Sequence, residues 1–169
     1  MSRTTKIVIS TTLAAALSTA AGAAEFVIGF GQDDFNGVTN TQAPALMLEY
    51  HKSPFYKQDK STVKQGFALQ IDGDGDVWIA AGFVGTYDIN DRWFFEGSLM
   101  TGLYWQAPGG TPLNYPIEFR EQVGIGYRID ENRAISITID HKSNADISLF
   151  YGLPNPGTET LAIRYRARF

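Results

Sequence analysis

The sequence predicts an all-β protein, an eight-stranded antiparallel up-and-down transmembrane β-barrel of the outer membrane. Three observations predict it: an export signal at the start, a body of extended segments whose side chains alternate in character, and a last segment closed by an aromatic residue, Phe169. Aromatics make up 13% of the chain and its 17 glycines are scattered through the body, a composition that favours strands over helices. A length of 169 residues suits one domain.

Residues 1–23 read as a cleaved signal peptide and residues 24–169 as the single barrel domain. Arg3 and Lys6 form a positive start, residues 8–17 an apolar stretch interrupted by Ser and Thr, and Ala21-Gly22-Ala23 a small-residue cleavage site. Cleavage after Ala23 and after Ala24 fit equally, so the mature chain is expected to begin near Glu25. The apolar stretch is too short and too rich in Ser and Thr for a good transmembrane helix. Cysteine is absent, which excludes disulfides and thiolate chemistry. An exported domain of this size then needs another way to hold together. Closing a sheet into a barrel is one, because it pairs every backbone donor and leaves no edge. The net charge of −4 provides no broad basic field, so nucleic acid is excluded as a partner.

Turn residues divide the body into extended segments at 25–33, 43–51, 65–72, 77–89, 92–105, 117–129, 133–145 and 158–169. An even count puts both ends of the body on the periplasmic side. Asn90-Asp91 and Asp130-Glu131-Asn132 make tight turns on that side, while 106–116 and 146–157 are longer and lie outside. Residues 53–64 fit neither class. Successive strand residues face opposite sides. In the fourth segment Val77, Ile79, Ala81, Phe83, Tyr87 and Ile89 share a face. Trp93, Phe95, Leu99, Leu103 and Trp105 share one in the fifth, with aromatics toward both ends as in an interfacial girdle. In the last segment Leu161, Ile163, Tyr165, Ala167 and Phe169 oppose Arg164, Arg166 and Arg168, which suits a lipid-facing wall around a polar lumen. A soluble barrel would also alternate, but the export signal, the aromatic bands and Phe169 favour the membrane.

One constellation carries chemistry. His141 and Ser143 lie two apart in an extended segment and so leave the sheet on the same face. Glu159, at the start of the hairpin partner, falls level with His141 within a residue or two of register. Ser, His and a carboxylate thus converge, the arrangement in which a base takes the hydroxyl proton and an acid fixes the imidazole tautomer. Ile135, Ile137 and Ile139 share the parity of His141 and Ser143, and Leu161 and Ile163 that of Glu159. All three polar groups therefore face lipid, where such groups are costly. A cluster there, near the outer rim, calls for a substrate that is itself in the membrane. Glu121 has the same outward parity and falls near Asp140 or His141, so geometry alone leaves it open as an alternative acid.

The paired segments His141-Lys142-Ser143-Asn144-Ala145 and Asn155-Pro156-Gly157-Thr158-Glu159, with the terminal Phe169, resemble the lipid A 3-O-deacylases (PagL type). The likeness is specific over roughly the last third of the chain. It implies an eight-stranded outer-membrane esterase that hydrolyses the ester-linked hydroxyacyl chain at position 3 of lipid A, without a metal or other cofactor. By that likeness Ser143 is the nucleophile, His141 the general base and Glu159 the orienting acid. Asn144 matches the asparagine assigned to the oxyanion hole, with Asn155 in support. The parity of Asn144 is inward, so its amide is expected to reach the oxyanion over the rim or from a local bulge.

Other features have plainer readings. Asp72-Gly73-Asp74-Gly75-Asp76 resembles the start of a calcium loop, but Phe83 stands where the acidic twelfth ligand belongs, which favours an acidic outer turn. Glu49 and His51 read as lumen or rim residues, with no second histidine cluster to make a metal site. Gly29-Phe30-Gly31 and Gly124-Ile125-Gly126 lack the strand-to-helix setting of phosphate loops, and close packing accounts for them. Expected partners are lipopolysaccharide as substrate and the surrounding membrane lipid, and a homodimer is left open. Two alternatives stand beside the deacylase: a non-catalytic barrel serving as adhesin or scaffold, and an esterase for another membrane lipid.

Overall fold

The computed structural model describes residues 24–169, and the expected signal peptide lies outside them. Nine antiparallel strands form one sheet: β1 (Glu25–Asp33), β2 (Ala43–His51), β3 (Tyr56–Gln58), β4 (Ser61–Asp72), β5 (Val77–Asp88), β6 (Trp93–Trp105), β7 (Ile117–Arg128), β8 (Arg133–Ser143) and β9 (Thr158–Arg168). β1 pairs with β9, and β2 pairs with β4, so the eight long strands close into a barrel. In hydrocarbon an unpaired backbone group has no water to turn to, and closure removes every edge.

The expected strands match those observed to within a few residues, and the main difference is instructive. Residues 53–64, which fitted no turn class, belong to a hairpin that continues the β2–β4 ladder. β2 ends with His51 opposite Gly66, and the ladder resumes with Tyr56 opposite Val63. The chain between carries two residues more on one strand than on the other and keeps contact through Lys52 N–H to the Gln65 carbonyl at 2.8 Å and Phe55 N–H to the Val63 carbonyl at 3.1 Å. This is a bulge. β8, in turn, stops at Ser143 because Ala145 has φ +51°, which ends the extended backbone.

The alternation is realised all round the wall. Ile79, Phe83, Leu99, Val123, Ile137 and Ile163 face outward and are exposed to the membrane, while Ser98, Gln122, Thr138, Asp140 and Arg164 of the same strands are buried inside. At the periplasmic end Phe26 stacks on Phe169 with ring centroids 5.3 Å apart, and Trp93 packs edge-on to Tyr127 at 5.1 Å. The Phe169 N–H also reaches the Ala24 carbonyl at 3.1 Å, which ties the two ends of the body together.

Ion pairs share the lumen with a small apolar cluster that includes Trp78, Val84, Met100 and Leu113. Glu49 sits at its centre: Arg120 contacts its Oε1 at 2.7 Å, and Arg164 and His51 contact its Oε2 at 2.5 and 2.8 Å. Glu96 pairs with Arg166, and Glu25 binds Lys64 at 2.6 Å and Arg168 at 3.1 Å. Toward the outer end Asp33 accepts from Thr158 and Thr160 at 3.1 and 2.7 Å. Lys142 stands over the rings of Trp78 and Tyr104, 5.7 and 5.8 Å away. Glu49 and His51 thus lie in the lumen, and a cavity of about 690 Å³ opens at the periplasmic mouth among Lys57, Lys64, Asp88, Arg128 and Arg166.

Removing one member of a buried ion cluster costs about 3–5 kcal/mol, because its partners stay buried and unpaired. Glu49→Ala, which strands Arg120 and leaves Arg164 only its contact with Glu96 at 3.8 Å, should lower the unfolding free energy by an amount of that order, seen as a lower urea midpoint in the heat-modifiable mobility of the folded barrel on gels.

Candidate active site on the barrel exterior

The ladder fixes the site. His141 is directly opposite Glu159 on β9 and directly opposite Glu121 on β7, and Ser143 is opposite Phe119. The hairpin between β8 and β9 sets that register, and the outward parity follows from the isoleucines and leucines below it. His141 Nδ1 lies 3.0 Å from Glu159 Oε1, with 46% and 26% of the two side chains exposed. Ser143 shares the face and is half-buried. Among the described residues its hydroxyl is not hydrogen-bonded to His141. Glu121 is exposed on the same face and makes no bond to the imidazole, so of the two candidate acids the structure brings Glu159 to the histidine.

Gly157 presses against the ring. A Cβ there would stand 2.5 Å from His141 Cε1, and its φ of +65° is one that glycine alone adopts without strain. The residue acts as a backstop that lets the chain pass close behind the imidazole.

Asn144 and Asn155 lie elsewhere than the oxyanion expectation puts them. Asn144 is fully buried on the lumen side: its Nδ2 donates to the Leu113 carbonyl at 2.7 Å, and its Oδ1 accepts from Ser148 N–H and Oγ at 3.2 Å each. Inward parity decides its direction, and no bulge turns it out. Asn155 Oδ1 accepts from the Asn144 N–H at 3.3 Å and its Nδ2 donates to Asp146 at 3.0 Å. The two asparagines brace the loop over the site, which also holds a short 3₁₀ turn, Ile147–Tyr151, and rests on the neighbouring loop through Tyr115 and Tyr151, stacked at 5.9 Å.

One contact escaped the sequence reading. Asn36, in the loop between β1 and β2, donates through Nδ2 to Glu159 Oε2 at 2.5 Å. The loop hangs on Asp34, whose buried carboxylate accepts from Thr39 and Thr41 N–H at 3.1 and 2.9 Å. Burial works to raise the Asp34 pKa, but those N–H groups outweigh it and hold the carboxyl below its ordinary value. The Asp72–Asp76 turn is an internal brace: Asp76 accepts from Ala107 N–H at 2.6 Å and Thr111 N–H at 2.7 Å. Among the described residues no group of three or more His, Cys, Asp or Glu is placed to hold a metal.

Residues 45–168 match the sequence family described as lipid A 3-O-deacylase (PagL). The chain belongs to that family. Membership makes it an enzyme of the Gram-negative outer membrane that removes an acyl chain from lipid A. The fold agrees: the crystal structure of the outer membrane enzyme PagL aligns with a TM-score of 0.62 at 16% identity, over 85% of this chain and 98% of that one. Two other barrels share the architecture. Neisserial surface protein A gives a TM-score of 0.55 at 9% identity, over 87% and 96% of the two chains. The attachment protein Ail of Yersinia pestis, in a phospholipid nanodisc, gives 0.52 at 15% identity, over 88% and 99%. No curated protein matches.

If Gly157 is the backstop that seats His141, Gly157→Ala should lower lipid A turnover about a hundredfold, the scale expected of an ångström-sized misplacement. Its folded mobility on gels should remain that of the parent barrel.

Proposed function

We propose that this PagL-family enzyme hydrolyses the ester-linked 3-hydroxyacyl chain at position 3 of lipid A, using Ser143 as nucleophile, His141 as general base and Glu159 as orienting acid. The observation that supports it is the outward-facing His141–Glu159 pair, two ionisable groups placed where hydrocarbon would ordinarily exclude them. Since Glu159 faces Nδ1, that nitrogen carries the proton and Nε2 is the base. Ser143 Oγ attacks the acyl carbonyl while Nε2 takes its proton, and the imidazolium returns the proton to the departing sugar oxygen. Water then cleaves the acyl-enzyme by the same route. The Ser143–His141 hydrogen bond forms as substrate seats, as catalytic contacts in a free enzyme commonly do.

In this reading the oxyanion is met by backbone and not by the Asn144 amide. Ala145 and Asp146 follow with φ +51° and +63°, and among the described residues their N–H groups have no acceptor. Consecutive turn-forming N–H groups of this kind make anion-binding concavities. Asn144 and Asn155 hold that stretch of chain in shape. Residues 1–23 serve as the export signal in the same proposal.

Ser143→Ala should abolish the loss of one hydroxyacyl chain, a fall of roughly 10³-fold or more in turnover, read by mass spectrometry of lipid A from cells carrying each form. Intact lipid A with altered phospholipids in the wild-type strain would instead mark an esterase for another lipid. Between the acids, Glu159→Ala should cut turnover by about 10⁴ and Glu121→Ala by far less. The reverse ranking would move the orienting role to Glu121.

A further inference from the structure

We propose that Asn36 is a fourth member of the site, a positioning residue that acts on the reaction through Glu159. The inference rests on the deacylase reading above and extends it to a loop that precedes the family match, which begins at residue 45.

Glu159 stands at the start of β9, half-buried, on a side chain with three rotatable bonds. One hydrogen bond to His141 leaves such a carboxylate free to swing. Asn36 takes the other oxygen: Oε1 lies on His141 Nδ1 at 3.0 Å and Oε2 receives the Asn36 amide at 2.5 Å. With both oxygens occupied, the plane of the carboxylate is set, and so is the face of the imidazole. The donor is chemically matched. An ionised carboxylate only accepts, and the Asn NH₂ group only donates, so the contact is a charge-assisted bond.

Asn36 is itself held in place. Its Oδ1 accepts from Val38 N–H at 3.4 Å, which turns the NH₂ end toward Glu159. Its neighbours are stitched to the strand that carries the carboxylate: Asp34 N–H donates to Thr158 Oγ1 at 3.1 Å and Phe35 N–H to the Glu159 carbonyl at 3.2 Å. Gly37 N–H closes the turn on the Asp34 carbonyl at 2.8 Å. The amide therefore meets Glu159 from a loop anchored on both sides of it.

Full-length protein carrying Asn36→Ala or Asn36→Asp, each alone and combined with Glu159→Ala, tests this on lipid A in detergent micelles. Asn36→Ala should lower kcat roughly tenfold with KM little changed, the scale of one lost hydrogen bond to a charged group at a partly exposed site. Asn36→Asp is the sharper variant. It keeps the acceptor for Val38 N–H, and with it the turn, but sets a carboxylate against Glu159, so its loss should exceed that of alanine. In the Glu159→Ala background neither change should cost more, because the group they act through is gone. Wild-type kcat in Asn36→Asp, or a full second loss on top of Glu159→Ala, overturns the proposal.

A readout independent of turnover separates this from the deacylase reading. His51 and His141 are the only histidines in the chain, so a ¹⁵N-histidine spectrum in micelles reports the ring directly. Asn36→Asp should move the His141 signals toward those of Glu159→Ala and leave the buried His51 unmoved. Unchanged His141 signals overturn the positioning role. Should wild type and Ser143→Ala alike leave lipid A intact, the deacylase reading falls while the spectrum still decides Asn36.

Discussion

Everything in this molecule follows from the need to pair each backbone amide where no water can serve as partner. A sheet meets that need only by closing, and closing fixes the rest. It aligns β1 with β9 and β2 with β4, and it gives each long strand one face in hydrocarbon and one in the lumen. It also brings chain ends and distant loops into contact. The interior that results holds paired charges beside a small apolar cluster, with Glu49 shared among Arg120, Arg164 and His51.

The same period of two that builds the wall selects the site. Just below the rim the outward side chains of β8 and β9 are Ile137, Ile139, Leu161 and Ile163, which bind nothing by directed contacts. At the outer end of β8 and β9 the parity is unchanged and the chemistry is not: imidazole, hydroxyl and carboxylate take the places where another aliphatic pair would stand. Register then does what a packed pocket does in a soluble hydrolase. It sets His141 opposite Glu159 across one rung of the ladder.

How much of this was legible depends on how far apart in sequence the partners stand. The strands, their faces and the His141–Glu159 juxtaposition are local, carried by alternation and by one hairpin, and the sequence sufficed for them. Parity also pointed Asn144 inward, and the structure keeps it there, donating to the Leu113 carbonyl. The bulge after His51 was illegible, because two extra residues in a ladder leave no compositional mark apart from a segment too long for a turn. Asn36 was illegible for a different reason. It lies 123 residues from Glu159, and only barrel closure brings its loop over β9.

The His141–Glu159 rung is followed by a single further pair, Lys142 with Thr158, before the β8–β9 ladder ends. In the proposed reaction, a chain cut beside that rung would keep its tail among the aliphatic side chains of the wall, Ile139 and Leu161 included, with its new carboxylate toward the rim. The fatty acid so released would already be an amphiphile in its proper orientation. It would leave by lateral drift through the leaflet, with no exit path through the protein.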